Sequence, residues 1–211
     1  MYNTREIENR QPQGTPVGVS LAAGPDGKPG GSYQFTGQAN SYIEFPNDGG
    51  LDVRHSITML CWIYPQNLAG PLFNYKTTGG PWGVHLWVGF PGHLFVRYKR
   101  RNYQYLRGLN STQTLALNQW HFVGASYDYN TGIASLWLNG QQIVQRNIGA
   151  RIDLATQDDV RMGVHTRIPK YYKGRICAMQ VYDVALNEKQ INEKQINGVQ
   201  SARQGNHFEL L

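Results

Sequence analysis

Ser56-Ile-Thr-Met-Leu-Cys-Trp-Ile-Tyr64 is the stretch that decides the fold. Side chains of an extended chain alternate between two faces, so Ile57, Met59, Cys61 and Ile63 share one side and Thr58, Leu60, Trp62 and Tyr64 the other. Both rows are largely apolar, which predicts a strand covered on both faces. The same period of two recurs outward from it. Residues 82–90 set Trp82, Val84, Leu86 and Val88 against Gly83, His85, Trp87 and Gly89 until Pro91-Gly92 breaks the run, and residues 93–98 follow as the hairpin partner. Residues 120–127 and 133–138 are joined by the turn-forming Asp128-Tyr-Asn-Thr-Gly132. Asn139-Gly140, the two-residue hairpin signal, then leads into residues 141–144. Residues 174–182 close the series, with Cys177, Met179 and Val181 opposite Ile176, Ala178, Gln180 and Tyr182. About a dozen short strands at hairpin spacing predict an all-β sandwich or barrel.

The periodicity changes only near the end. Residues 186–199 read as a short helix containing the tandem Asn187-Glu-Lys-Gln-Ile191 and Asn192-Glu-Lys-Gln-Ile196. A five-residue period matches no helical stripe, so a coiled coil is not expected. Residues 1–13 read as an N-terminal extension, 14–200 as one domain and 201–211 as a tail. The Gly- and Pro-rich residues 9–31 look like an extended approach to the first strand. No apolar run resembles a signal peptide or a membrane span.

Composition agrees with many turns and few helices. Only 16% of the 211 residues are charged against a usual figure of about 25%, while Gly (24) and Tyr (13) are plentiful. The net charge of +6 is unevenly placed. Residues 53–127 contain no Asp or Glu and seven cations: Arg54, Lys76, Arg97, Lys99, Arg100, Arg101 and Arg107. A basic, carboxylate-poor middle attracts anionic partners. No nucleic-acid-binding motif accompanies it, so nucleic acid is not the expected partner.

Four blocks in order resemble the laminin-G-like, concanavalin A-like jelly rolls that include pentraxin-type domains. They are Tyr33-Gln-Phe-Thr-Gly37 with Ser41-Tyr-Ile-Glu-Phe45; residues 56–65; Asn118-Gln-Trp-His-Phe-Val123 through Leu136-Trp-Leu-Asn-Gly140; and Tyr172-Lys-Gly-Arg-Ile176 through Val181-Tyr-Asp-Val-Ala-Leu186. The resemblance implies an antiparallel jelly-roll sandwich of two stacked sheets with a short C-terminal helix, and a secreted, extracellular life. Members bind glycans, sulfated polysaccharides or protein partners, often with calcium, and some are spacers. It further implies that the strands carrying Cys61 and Cys177 run side by side, so a disulfide is expected, two buried free thiols being the alternative.

Several constellations are candidates for function. Arg97-Tyr-Lys-Arg-Arg101 with Tyr103, Tyr105 and Arg107 interleaves cations and aromatics that can meet sulfate, carboxylate or phosphate while rings pack on sugar faces, or can form a solvated hairpin tip. Trp87 and His85 share a face with two glycines, which leaves room for a ligand on Trp87 or marks a core tryptophan. Trp62, Trp120 and Trp137 read as core. Asn110-Ser-Thr112 is an N-glycosylation acceptor pattern. Asp48, Asp52, Asp153 and Asp158 are the candidates for calcium, or else turn and capping residues. Glycosidase relatives need two carboxylates roughly 5–9.5 Å apart on the concave sheet, where this sequence is acid-free. Six scattered histidines and no nucleophile motif add nothing catalytic. The expectation is a non-catalytic recognition or adhesion module for carbohydrate, with a structural matrix domain that makes protein contacts as the alternative.

Overall fold

The computed structural model describes residues 13–78, 82–165, 167–203 and 208–210, with side chains through 198. Residues 1–12 of the expected extension, and 204–207 and 211 of the expected tail, lie outside the described residues. Fifteen strands and one helix follow in order: β1 (Thr15–Val17), β2 (Ser20–Ala22), β3 (Ser32–Thr36), β4 (Tyr42–Phe45), β5 (Ile57–Pro65), β6 (Gly70–Tyr75), β7 (His85–Gly89), β8 (His93–Arg97), β9 (Leu109–Thr114), β10 (His121–Tyr127), β11 (Ile133–Leu138), β12 (Gln141–Asn147), β13 (Val160–Met162), β14 (Lys173–Tyr182), α1 (Glu188–Arg203) and β15 (Phe208–Leu210). One sheet has the order β1-β4-β13-β6-β7-β8-β9. The other has the order β12-β11-β10-β5-β14-β3-β2, with β15 added to β14 as its single parallel pairing. This is the antiparallel jelly-roll sandwich with a C-terminal helix that the resemblance implies.

The double-faced run of residues 56–64 explains where the core sits. β5 is central in its sheet, between β10 and β14. Its inner row, Ile57, Met59, Cys61 and Ile63, joins Leu72, Leu86, Val96, Leu136 and others in the buried core between the sheets. Its outer row is only partly open to solvent, with Thr58 and Leu60 buried and Trp62 and Tyr64 half-buried. Leu60 packs with Phe122, Trp137, Tyr182, Leu186 and Ile191 in a second cluster at α1. Trp137 is therefore buried, but in this outer cluster, while Trp62 and Trp120 are half-buried on the same face. Ile191 is 0% exposed and its repeat counterpart Ile196 is 63% exposed. Five residues advance a helix by about 500°, which puts the two isoleucines roughly 140° apart.

Two local departures have physical causes. The expected strand over residues 82–90 begins only at His85, because Gly83 N donates to Tyr75 O (2.8 Å) and Val84 N donates to Ala155 O (3.2 Å). That detour breaks the alternation and brings the Trp82 ring to the face that carries His85 and Trp87. The expected Cys61–Cys177 disulfide is not formed, and both thiols are free and buried. Cys177 stands opposite Trp62, not Cys61, and a bulge follows between Cys177 and Gln180, with Ala178 at φ 47°. Side chains of neighbouring residues on β5 point to opposite faces, so Cys61 faces the core while Cys177 follows Trp62.

Candidate functional site

The outer face of the seven-stranded sheet carries the candidate site. On β7 and β8 the inward residues Leu86, Val88, Leu94 and Val96 fill the core, which by alternation turns His85, Trp87, Phe95 and Arg97 outward. Cross-strand pairing sets Trp87 opposite Phe95 and His85 opposite Arg97. Trp82, His85, Trp87, Phe95 and His165 form one ring cluster with centroid separations of 5.0–5.8 Å.

Trp87 is half-buried, and its indole N–H donates to Asn74 Oδ1, which fixes the ring. Beside it lies an open groove of about 240 Å³ lined by Ala69, Gly70, Gly89, Phe90, Phe95, Asn110 and Lys170. Small residues flank the indole and Phe90, 77% exposed, stands at its end. The expected glycosylation acceptor Asn110 is exposed on edge strand β9, in this groove. His85 is different. It is 1% exposed beneath Trp82, Trp87 and Phe95, with Nδ1 3.0 Å from Gly83 O. Burial, with the positive Arg97 nearby, lowers its pKa to about 3 against the hydrogen bond that its ring donates to Gly83 O. It packs against the Trp87 ring as a neutral imidazole and, buried, offers no surface of its own.

The basic hairpin divides into parts with different jobs. Lys99 pairs with Tyr105 across it, and the turn over 100–104 is closed by Tyr103 N donating to Arg100 O (2.7 Å). Arg101 is not available to a ligand: its Nη1 and Nη2 donate to Asp52 Oδ1 and Oδ2 at 2.8 and 2.6 Å. Tyr103 donates its hydroxyl to Asp158 Oδ2 (2.9 Å) and accepts from Gln157 Nε2 (2.8 Å). Arg100 and Arg107 are exposed. Arg97 and Lys99 lie against rings: Arg97 is 5.1 Å from the Phe95 centroid and 5.8 Å from that of Tyr105, and Lys99 Nζ is 4.3 Å from Tyr105. The site residues missed in sequence are Asn74, Phe90, Phe95 and Lys170. An aromatic at the Phe90-Pro91-Gly92 turn was a usable signal for Phe90; Lys170 comes from a distant loop and left none.

The four acids expected to offer calcium ligands do not converge. Asp52 is taken by Arg101 and by Thr156 Oγ1 (2.9 Å), Asp153 by Arg54 (2.6 Å), and Asp158 by Tyr103, while Asp48 is exposed. Among the described residues no three His, Cys, Asp or Glu side chains gather at metal-binding distance. Glu44, on the same outer face, binds Lys76 (2.7 Å) through one oxygen and Arg161 Nε (2.6 Å) through the other. Burial raises its pKa, but the hydrogen bonds from Lys76 and Arg161 together outweigh this and hold it below the ordinary value. A second groove, about 460 Å³, lies on the outer face of the other sheet between Ser135, Trp137, Gln142 and the start of α1.

The sequence profile of the concanavalin A-like lectin/glucanases superfamily matches residues 36–192. No curated protein matches the chain in sequence. Among solved structures, domain 4 of AbnA, a GH43 extracellular arabinanase from Geobacillus stearothermophilus in complex with arabinotriose, is similar with a TM-score of 0.68 and 17% identity, over 91% of this chain and 92% of that one. The native heptameric SAP-like pentraxin from Limulus polyphemus matches at TM-score 0.58 and 17% identity, over 84% and 80%. The binding domain of Paraclostridial Mosquitocidal Protein 1 matches at 0.65 and 17%, over 88% of this chain and 47% of that one, so the chain spans about half of that domain. At these identities the likeness is one of fold.

Proposed function

We propose, from the premise that this chain belongs to the concanavalin A-like lectin/glucanases superfamily, that it is a non-catalytic module binding carbohydrate on the outer face of its seven-stranded sheet. The observation that carries this reading is the Trp87 groove. A fixed, half-exposed indole lies between small residues, with Phe90 and Phe95 as further apolar surface and Asn110 and Lys170 as polar groups at hand. An aromatic face beside hydrogen-bonding groups matches a sugar ring, which has an apolar face and a polar rim. At about 240 Å³ the groove is smaller than the roughly 300–1,000 Å³ clefts of drug-sized ligands and suits one ring laid flat.

The absence of catalysis in this proposal is supported by the state of Glu44. Glycoside hydrolysis needs one carboxyl that gives up a proton and a second free to attack or to activate water, whereas both oxygens of Glu44 are engaged by Lys76 and Arg161. An extracellular setting belongs to the same proposal. The similar domain 4 comes from an extracellular arabinanase, whereas the free thiols Cys61 and Cys177 lend that setting no support. A glycan array probed with the wild-type protein and with Trp87→Ala and Phe90→Ala tests the reading. Removing the indole should weaken the best oligosaccharide by about tenfold or more, the effect of losing about 1.4 kcal/mol of stacking. Undiminished binding by Trp87→Ala would refute the site, and no glycan bound by the wild type would refute the function in favour of a scaffold making protein contacts.

A further inference from the structure

Lys99 is 1% exposed, yet among the described residues its ammonium meets no carboxylate and no carbonyl, only the rings of Tyr105 (4.3 Å) and Tyr103 (5.6 Å). The next cation on the same face, Arg97, is also without a salt bridge among the described residues and lies against Phe95, Tyr105 and Trp82. The neighbouring acids are engaged elsewhere: Asp52 by Arg101, Asp153 by Arg54, Asp158 by Tyr103, and Glu44 by Lys76 and Arg161.

Two like charges set side by side with no counter-ion, one of them almost wholly buried, are an unfavourable way to fill space. A methionine would cover Tyr105 as well without the desolvation cost. Cation–π contacts return only about 0.5–2 kcal/mol. Burial and then the positive Arg97 lower the Lys99 pKa, and a bound anion would act against both effects. The place borders open surface: Tyr105, whose ring lies 4.3 Å from the Lys99 ammonium, is 54% exposed.

We propose that Arg97 and Lys99 form an oxyanion subsite that makes the module select acidic sugars, taking a carboxylate or sulfate ester between guanidinium and ammonium while the sugar ring rests on Tyr105. The inference rests on the reading of the Trp87 face as a carbohydrate site, and Phe95 links the two: its ring lies under Arg97 and lines the Trp87 groove. The structure thereby narrows the five cations of the hairpin to two. Arg101 clamps the hairpin, and Arg100 and Arg107 point into solvent.

Glucuronate, inorganic sulfate and glucose, titrated into the ¹⁵N-labelled protein at low ionic strength, test the proposal through the backbone amides. Glucuronate, sulfate or both should produce saturating shifts over residues 95–107 that glucose does not. Saturation by glucuronate alone assigns a uronate, by sulfate alone a sulfate ester, and by both the shared oxyanion chemistry. Lys99→Met and Arg97→Gln should each weaken the anion by about tenfold, as loss of one charge-assisted hydrogen bond predicts. Arg100→Gln, which removes the same charge from the same hairpin, should leave it unchanged. Amide spectra of the variants that superimpose on the wild type away from the hairpin show that they fold. The proposal is overturned by anion shifts that persist in the Arg97→Gln/Lys99→Met double variant, by no saturation with either anion, or by an oligonucleotide that outcompetes an acidic oligosaccharide. Loss of neutral-glycan binding in Trp87→Ala with anion binding intact would instead be a result about the platform, so the two readings fail separately.

Discussion

Breaking the Arg101–Asp52 pair should destabilise the hairpin and leave recognition alone. The two side chains are 30% and 26% exposed, so the pair falls between surface ion pairs worth about 0.2–1 kcal/mol and buried ones whose disruption costs about 3–5 kcal/mol. Its bidentate geometry, at 2.8 and 2.6 Å, and the added Thr156 hydroxyl place it in the upper part of the exposed range or just above. A double-mutant cycle of Arg101→Gln, Asp52→Asn and both, followed by urea unfolding, should give a coupling of about 1–2 kcal/mol. In a chain of this size that is roughly 2–8 °C in Tm. The hydrogen bond from Arg101 is the largest influence on the Asp52 carboxyl and holds its pKa below the ordinary 3.8. The coupling is therefore fully present above pH 3.8 and disappears as acid protonates Asp52 below it. A coupling under about 0.5 kcal/mol at neutral pH, or Arg101→Gln weakening glycan binding as strongly as Lys99→Met, would refute the assignment of Arg101 as a clamp.

Two further outcomes follow from burial. His85 has a folded-state pKa of about 3 against 6.5 when unfolded, so the unfolded chain takes up a proton that the folded one refuses; stability falls as pH drops from 6.5 toward 3, by up to about 1.4 kcal/mol per pH unit. His85→Phe should flatten that slope between pH 6.5 and 4.5 in urea titrations, and an unchanged slope would contradict it. Thiol titration of the unfolded, unreduced protein should find two thiols, and the native protein should react slowly because burial raises both pKa values well out of the thiolate range. Finding none would restore the disulfide.

The sheets were legible because their signal is local. The run of residues 56–64 with its two apolar rows predicts a central strand, and β5 lies between β10 and β14 with one row in the core and the other at α1. Asn139-Gly140 predicts a tight hairpin, and both residues adopt positive φ (50° and 81°) between β11 and β12. Errors arose where tertiary hydrogen bonds interrupt alternation. Trp82 changed faces because Gly83 and Val84 bond to Tyr75 and Ala155, and Cys177 was separated from Cys61 because the register pairs it with Trp62 ahead of a bulge. The site was half legible. Trp87 and its glycines could be read from alternation, and so could the charge of the hairpin. Which cations are engaged could not, since Asp52 lies 49 residues from Arg101 and its partnership exists only in the folded chain.

The central claim is that ligand recognition belongs to the outer face of the seven-stranded sheet. Mapping amide shifts of the protein saturated with its best array oligosaccharide tests this most directly. The account predicts perturbations concentrated on β7, β8 and β9 around Trp87, Phe95 and Asn110. Perturbations gathered instead around Ser135, Trp137 and Gln142, in the larger groove on the opposite sheet, would contradict it.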